Sequence, residues 1–161
     1  MRNSFLFVAF ALLLNGCSSS PEPTATPTPA AAPTPAPVPD HTSLFPDAGK
    51  ISTSIVPDRI LGIKALPGGS LAEYNVKGKK YQMFIIDADS AQNAAFMMLD
   101  IKAALQKDPE PQYISYMGGY AGMFGDQPLY CFAKLHYLAG IVGLPKDQAD
   151  PLMIKLAAQL D

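Results

Sequence analysis

Between Ser18 and Asp40 the chain carries eight prolines, placed at near-alternate positions from Pro21 to Pro39, and one aliphatic residue larger than alanine, Val38. Proline has no amide hydrogen to give to a ladder or a helix interior, so this stretch cannot enter regular structure. It also lacks the apolar side chains whose burial would offset the entropy of ordering it. An extended polyproline II spacer is the expected result, and at about 3.1 Å per residue it reaches roughly 70 Å. Any hydrophobic core is thereby confined to residues 41–161. That is about 120 residues, the usual size of one domain.

Upstream of the spacer, Arg2 precedes an apolar run over residues 5–14. The run is too short for a spanning helix, which needs roughly 20 residues, and its flanks fit an export signal. The run closes on Leu14-Asn15-Gly16-Cys17, with Leu at −3, Gly at −1 and Cys at +1 of a cleavage site. This arrangement resembles the type II signal peptides of bacterial lipoproteins. The resemblance implies that residues 1–16 are removed, that Cys17 becomes the acylated first residue, and that membrane lipid is a partner through it. Ser18, where an aspartate would favour inner-membrane retention, points to the outer membrane of a Gram-negative envelope. The expected organisation is a signal peptide over 1–16, a lipidated cysteine and Pro/Thr/Ala-rich linker over 17–40, and one globular domain over 41–161.

Charge excludes one class of partner. The chain has 12 basic and 14 acidic residues; without Arg2 the balance is 11 against 14, or −3, with no run of like charge. Nucleic acid requires a basic stripe that this chain lacks. Cysteine usage adds a second constraint, because once lipid takes Cys17 the domain holds one thiol, Cys131, and no disulfide can brace it. Cys131 sits in the apolar run Leu129-Tyr130-Cys131-Phe132-Ala133, where a buried, inert thiol is expected. The competing reading pairs it with His136 as a catalytic thiolate.

The domain reads as α+β, with a mostly antiparallel sheet built from a hairpin, a helix and a four-strand meander, and with a C-terminal helix packed on it. Residues 71–76 and 80–86 flank Lys77-Gly78-Lys79 as a hairpin. In the second of these strands Tyr81, Met83 and Ile85 share one face and Phe84 and Ile86 the other, as in a central strand. Ser90 caps a helix predicted over 91–106, behind Asp87 and Asp89, whose charge suits a helix N-terminus. Ala94, Ala95, Met98, Leu99, Ile101, Ala103 and Leu105 form its apolar side. Strands are then expected over 113–117, 120–124, 129–134 and 137–142, with a bulge at Gly140 and a strand end at Gly143. Asp150-Pro151 reads as the N-cap and first residue of the last helix, and Pro67-Gly68-Gly69 as a turn. Within residues 41–69, Leu44-Phe45-Pro46 and Ile60-Leu61-Gly62-Ile63 are read as short strands or packed loop.

Gly68 to Tyr74, Tyr81 to Ala95, Gly118-Gly119-Tyr120 and Lys134 to Tyr137 together resemble the repeating unit of an uncharacterised family of exported bacterial proteins, a domain of unknown function. The tryptophans and the Gly-Gly-Ala stretch usual in that family are missing here. The resemblance implies no activity. The chain also lacks His-x-x-x-His, Cys-x-x-Cys, Gly-x-Ser-x-Gly and phosphate-loop patterns, so no enzyme, cofactor or metal is implied. A non-enzymatic binding or accessory module for an envelope protein or glycan is the expected role, with a scaffolding lipoprotein as the alternative. Tyr116, Tyr120 and Tyr137 are the candidate binding surface, since tyrosine pairs an apolar body with a polar tip.

Overall fold

Seven strands and two helices build residues 37–161, the part described by the computed structural model: β1 (Lys50–Asp58), β2 (Pro67–Val76), β3 (Lys79–Asp87), α1 (Ala91–Ala104), β4 (Gln112–Ile114), β5 (Gly119–Phe124), β6 (Gln127–Lys134), β7 (Tyr137–Val142) and α2 (Lys146–Ala157). Cys17 and the spacer up to residue 36 lie outside the described residues. All strands pair antiparallel in one sheet, in the order β1-β2-β3-β7-β6-β5-β4. Two meanders, β1 to β3 and β4 to β7, are joined through α1, and the second returns so that β7 pairs with β3. The domain is α+β.

β3 lies inside the sheet and is apolar on both faces, as its sequence requires. Tyr81, Met83 and Ile85 point into one core with Tyr130, Phe132, Ile141 and the α2 residues Met153 and Leu156. Phe84 and Ile86 point into a second core with Leu129, Cys131, Leu138 and the α1 residue Ile101. The two helices therefore cover opposite faces of one sheet. Among the described residues every member of both cores falls between Phe45 and Leu160. The β2–β3 turn is Lys77-Gly78, with φ of 52° and 83°, the doubly positive pair that a two-residue hairpin of this twist demands.

Three expectations change, and β1 is a strand that none of them named. Pro67-Gly68-Gly69 is the start of β2 rather than a turn. A Cβ on Gly69 would stand 2.6 Å from the Ile85 carbonyl oxygen and one on Gly68 would meet the Pro57 backbone, so these glycines permit close strand contact. Gly140 is no bulge, since register runs unbroken through Phe84, Gly140 and Cys131. α2 begins at Lys146, with Pro145 as N-cap, and Pro151 lies inside it. Asp150 pairs with Lys146 across one turn at 2.5 Å instead of capping the helix.

α1 is capped as expected, the Ser90 hydroxyl accepting from the Asn93 amide at 3.1 Å. Its buried face is narrower than its composition suggests. Ala94 and Ile101 are buried, with Leu105 just past its end, whereas Ala95, Leu99 and Ala103 are exposed.

Candidate functional site

α1 packs over β5, β6 and β7, the segment of residues 60–66 covers Phe84 and Ile86 on the same face, and the end of that face around Glu73 and Gln82 stays open. This open end forms two adjoining depressions of about 440 and 510 Å3 that share Gln82, Gln127 and Val142. Ile51 and Glu73 bound the first, and Leu61, Leu71, Phe124 and Asp126 the second. The Glu73 carboxylate is fixed on the floor: Ser52 Oγ donates to it at 3.0 Å and Gln82 Nε2 at 3.4 Å. Leu61 reaches the wall from a left-handed backbone (φ 58°, ψ 10°), a conformation that costs a branched residue about 1–3 kcal/mol. Side-chain amides and a carboxylate over an apolar floor can hydrogen-bond an extended polar chain while covering its apolar parts.

The three candidate tyrosines do not share a patch. Tyr137 is 8% exposed in the α2-side core, Tyr120 is half-buried on the α1 side, and Tyr116 is exposed in the β4–β5 turn. Tyr120 stacks edge-on with Tyr113 and lies beneath Lys102, whose Nζ stands 4.8 Å from the ring centre. Tyr116 belongs to a polar cluster on α2, where Lys146 Nζ donates to its hydroxyl at 3.2 Å. Burial raises the Asp150 carboxyl, but hydrogen bonds from Lys146 and Tyr116 outweigh it and hold the group below the usual carboxylate range.

Both histidines of the chain converge on one carboxylate, a grouping that sequence reading passed over because His41 stands at the linker junction. Asp87 Oδ2 lies 3.2 Å from His41 Nε2 and 3.9 Å from His136 Nε2, and both rings pack against Tyr137. The His41 amide donates to the hydroxyl of Ser70, the one fully buried polar side chain among the described residues. Phe45 is buried just beyond, and the Pro46 carbonyl accepts from the Tyr74 hydroxyl at 2.8 Å. This cluster fastens the start of the domain to the sheet. Asp87 accordingly binds His41 and accepts from the Asp89 amide, and it does not cap α1. Among the described residues no group of three or more His, Cys, Asp or Glu gathers closely enough to hold a metal ion.

Cys131 is fully buried beneath α1, and desolvation pushes its thiol up to about 12, against a smaller opposing contribution from a backbone hydrogen bond with Tyr120. His136 lies in the β6–β7 turn, beyond the end of β6 at Lys134, and its ring faces Asp87 on the opposite side of the sheet. The structure does not bring the pair together. Thiol-reactive dye should leave the native domain unlabelled at neutral pH and modify Cys131 only after denaturation. Cys131→Ser should lower stability by about 1–3 kcal/mol, because it places a hydroxyl in an apolar site; dye kinetics and chemical denaturation check both.

No family model, no curated protein and no solved structure matches this chain.

Proposed function

We propose that this protein is an exported lipoprotein of the bacterial envelope, anchored through acylated Cys17, that displays a non-enzymatic binding or accessory domain on a proline-rich stalk. The observation that carries the binding role is the open end of the α1 face of the sheet, where Gln82, Gln127 and Glu73 stand beside Val142 and Leu71 in a groove open to solvent. A scaffold has no need of an open polar groove beside an otherwise covered sheet. The occupant that suits it is an extended chain rich in amide and hydroxyl groups, as in an envelope glycan or a peptide carried on one. No helix among the described residues is long and apolar enough to cross a membrane, and attachment is assigned to the acyl chains. Two chains suffice for stable anchoring, each buried methylene contributing about 0.8 kcal/mol.

Gln82→Ala with Gln127→Ala removes the groove's amides from partly or fully exposed positions, so the unfolding midpoint should not move. Sedimentation with purified peptidoglycan should weaken about tenfold, the effect of losing one or two net hydrogen bonds. Equal sedimentation of the variant and the parent would remove the groove from the proposal.

A further inference from the structure

β1 ends the sheet, and among the described residues no strand lies beside its outer edge. Edge strands expose a row of unpaired amides and carbonyls, and natural sheets blunt them by shortness, charge, proline or bulges. The opposite edge follows the first of these devices, since β4 has three residues. β1 has nine, and its devices stand only at the ends: a register shift between Lys50 and Ser52, then Pro57. Between them runs Ser52-Thr53-Ser54-Ile55-Val56, uncharged, rich in β-branched residues and exposed apart from the half-buried Val56. Ile55 is 43% exposed and Ile51, in the irregularity, 62%.

We infer that β1 pairs antiparallel with β1 of a second copy of this chain, about a twofold axis at Ser54, to join two seven-stranded sheets. The symmetry follows from the residues. A twofold axis perpendicular to the sheet keeps like faces together, so partners across the seam must share a face. An axis through any residue meets this condition, and Ser54 is the midpoint of Lys50–Asp58: Ser54 then faces Ser54, and Thr53 faces Ile55, the latter two on the α2 face opposite Ala72 and Ser70. The charges at the ends agree with this direction. Lys50 and Asp58 close the two ends of β1, so antiparallel apposition brings the Lys50 end of one copy beside the Asp58 end of the other, whereas parallel apposition would set like beside like. Each end charge already has a local counter-ion, Asp47 for Lys50 and Arg59 for Asp58, so the seam buries no unpaired charge. A five-residue seam is weak in solution, and tethering two copies to one surface favours it through effective concentration. The pairing itself depends only on the edge and not on the lipid anchor or the groove.

Ser54→Cys, in a chain beginning at Ser18, tests the register directly. Cys131 is then the sole native thiol and is buried. Mild oxidation should convert Ser54→Cys to a disulfide-linked dimer, while Asp126→Cys, exposed in the β5–β6 turn, stays largely monomeric. Adding Thr53→Lys and Ile55→Lys, both at exposed positions, sets lysine against lysine across the seam. That variant should keep the parent circular-dichroism spectrum, lose the cross-link, and sediment as a monomer where the parent shows concentration-dependent association. Equal cross-linking at residues 54 and 126, or a parent that stays monomeric up to about 1 mM, the effective concentration short tethers provide, would overturn the pairing. Cross-linking that persists in the lysine variant would do so as well.

Discussion

Gly140→Ala is expected to destabilise the domain by about 1–3 kcal/mol or more, the range for overpacking a filled core. Gly140 pairs on one side with Phe84 of β3 and on the other with Cys131 of β6. A methyl group there would press on the Tyr130 carbonyl oxygen and stand 2.6 Å from Cε1 of the Phe84 ring. Phe84 is wholly buried and cannot swing aside, and the carbonyl belongs to the ladder that holds β6. Two obstacles of different kind give the prediction its shape. Phe84→Leu in the same chain shortens the ring's reach but leaves the carbonyl in place, so it should relieve part of the strain and no more. Urea unfolding of the parent, the two single variants and the double variant separates these contributions. A Gly140→Ala domain as stable as the parent would mean that β6 and β7 are not as closely paired as described.

The sequence was most legible where a local rule and the packing agree. β3 announced itself by apolar residues on both faces, Lys77-Gly78 by the glycine a tight hairpin needs, and Ser90 by the helix it caps. β1 was missed because an edge strand buries little, so Ser52, Thr53 and Ser54 show no alternation of apolar and polar residues. Its β-branched run from Ile51 to Val56 was the signal available. The start of α2 was misread for a different reason. Asp150-Pro151 satisfies the rule for a helix start, yet the helix begins a turn earlier, and Pro151 forfeits the bond to the Asp147 carbonyl. Burial of Ala149 and the Lys146–Asp150 pair hold the preceding turn in place.

The candidate site was less legible than the fold because it depends on what a helix leaves uncovered. The periodicity of α1 predicts an apolar side containing Leu99 and Ala103, but it cannot say that α1 lies mainly over β5 to β7. Gln82 and Gln127 are 45 positions apart in sequence and meet only through the return of β7 between their strands. His41 and Asp87 likewise come together across 46 positions, and their pairing joins the start of the domain to the sheet. Tyrosine count drew attention to the meander for a physical reason, since strands favour tyrosine whether or not it binds anything. Tyr130 and Tyr137 are buried accordingly.

Cys17→Ala bears on the proposed anchoring and carries the largest expected effect. If Leu14 to Cys17 is a lipobox, acylation of the cysteine precedes removal of residues 1–16, and alanine stops both steps at once. Metabolic labelling with an alkyne-bearing palmitate analogue, followed by membrane fractionation and intact-mass measurement, reads the two together. The parent should incorporate label, fractionate with membranes, and have a mass corresponding to a chain that begins at acylated Cys17. The variant should take up no label and retain residues 1–16 as an unprocessed precursor. A Cys17→Ala chain that is still labelled and processed, or a parent whose mature mass shows an unmodified Cys17, would contradict the account.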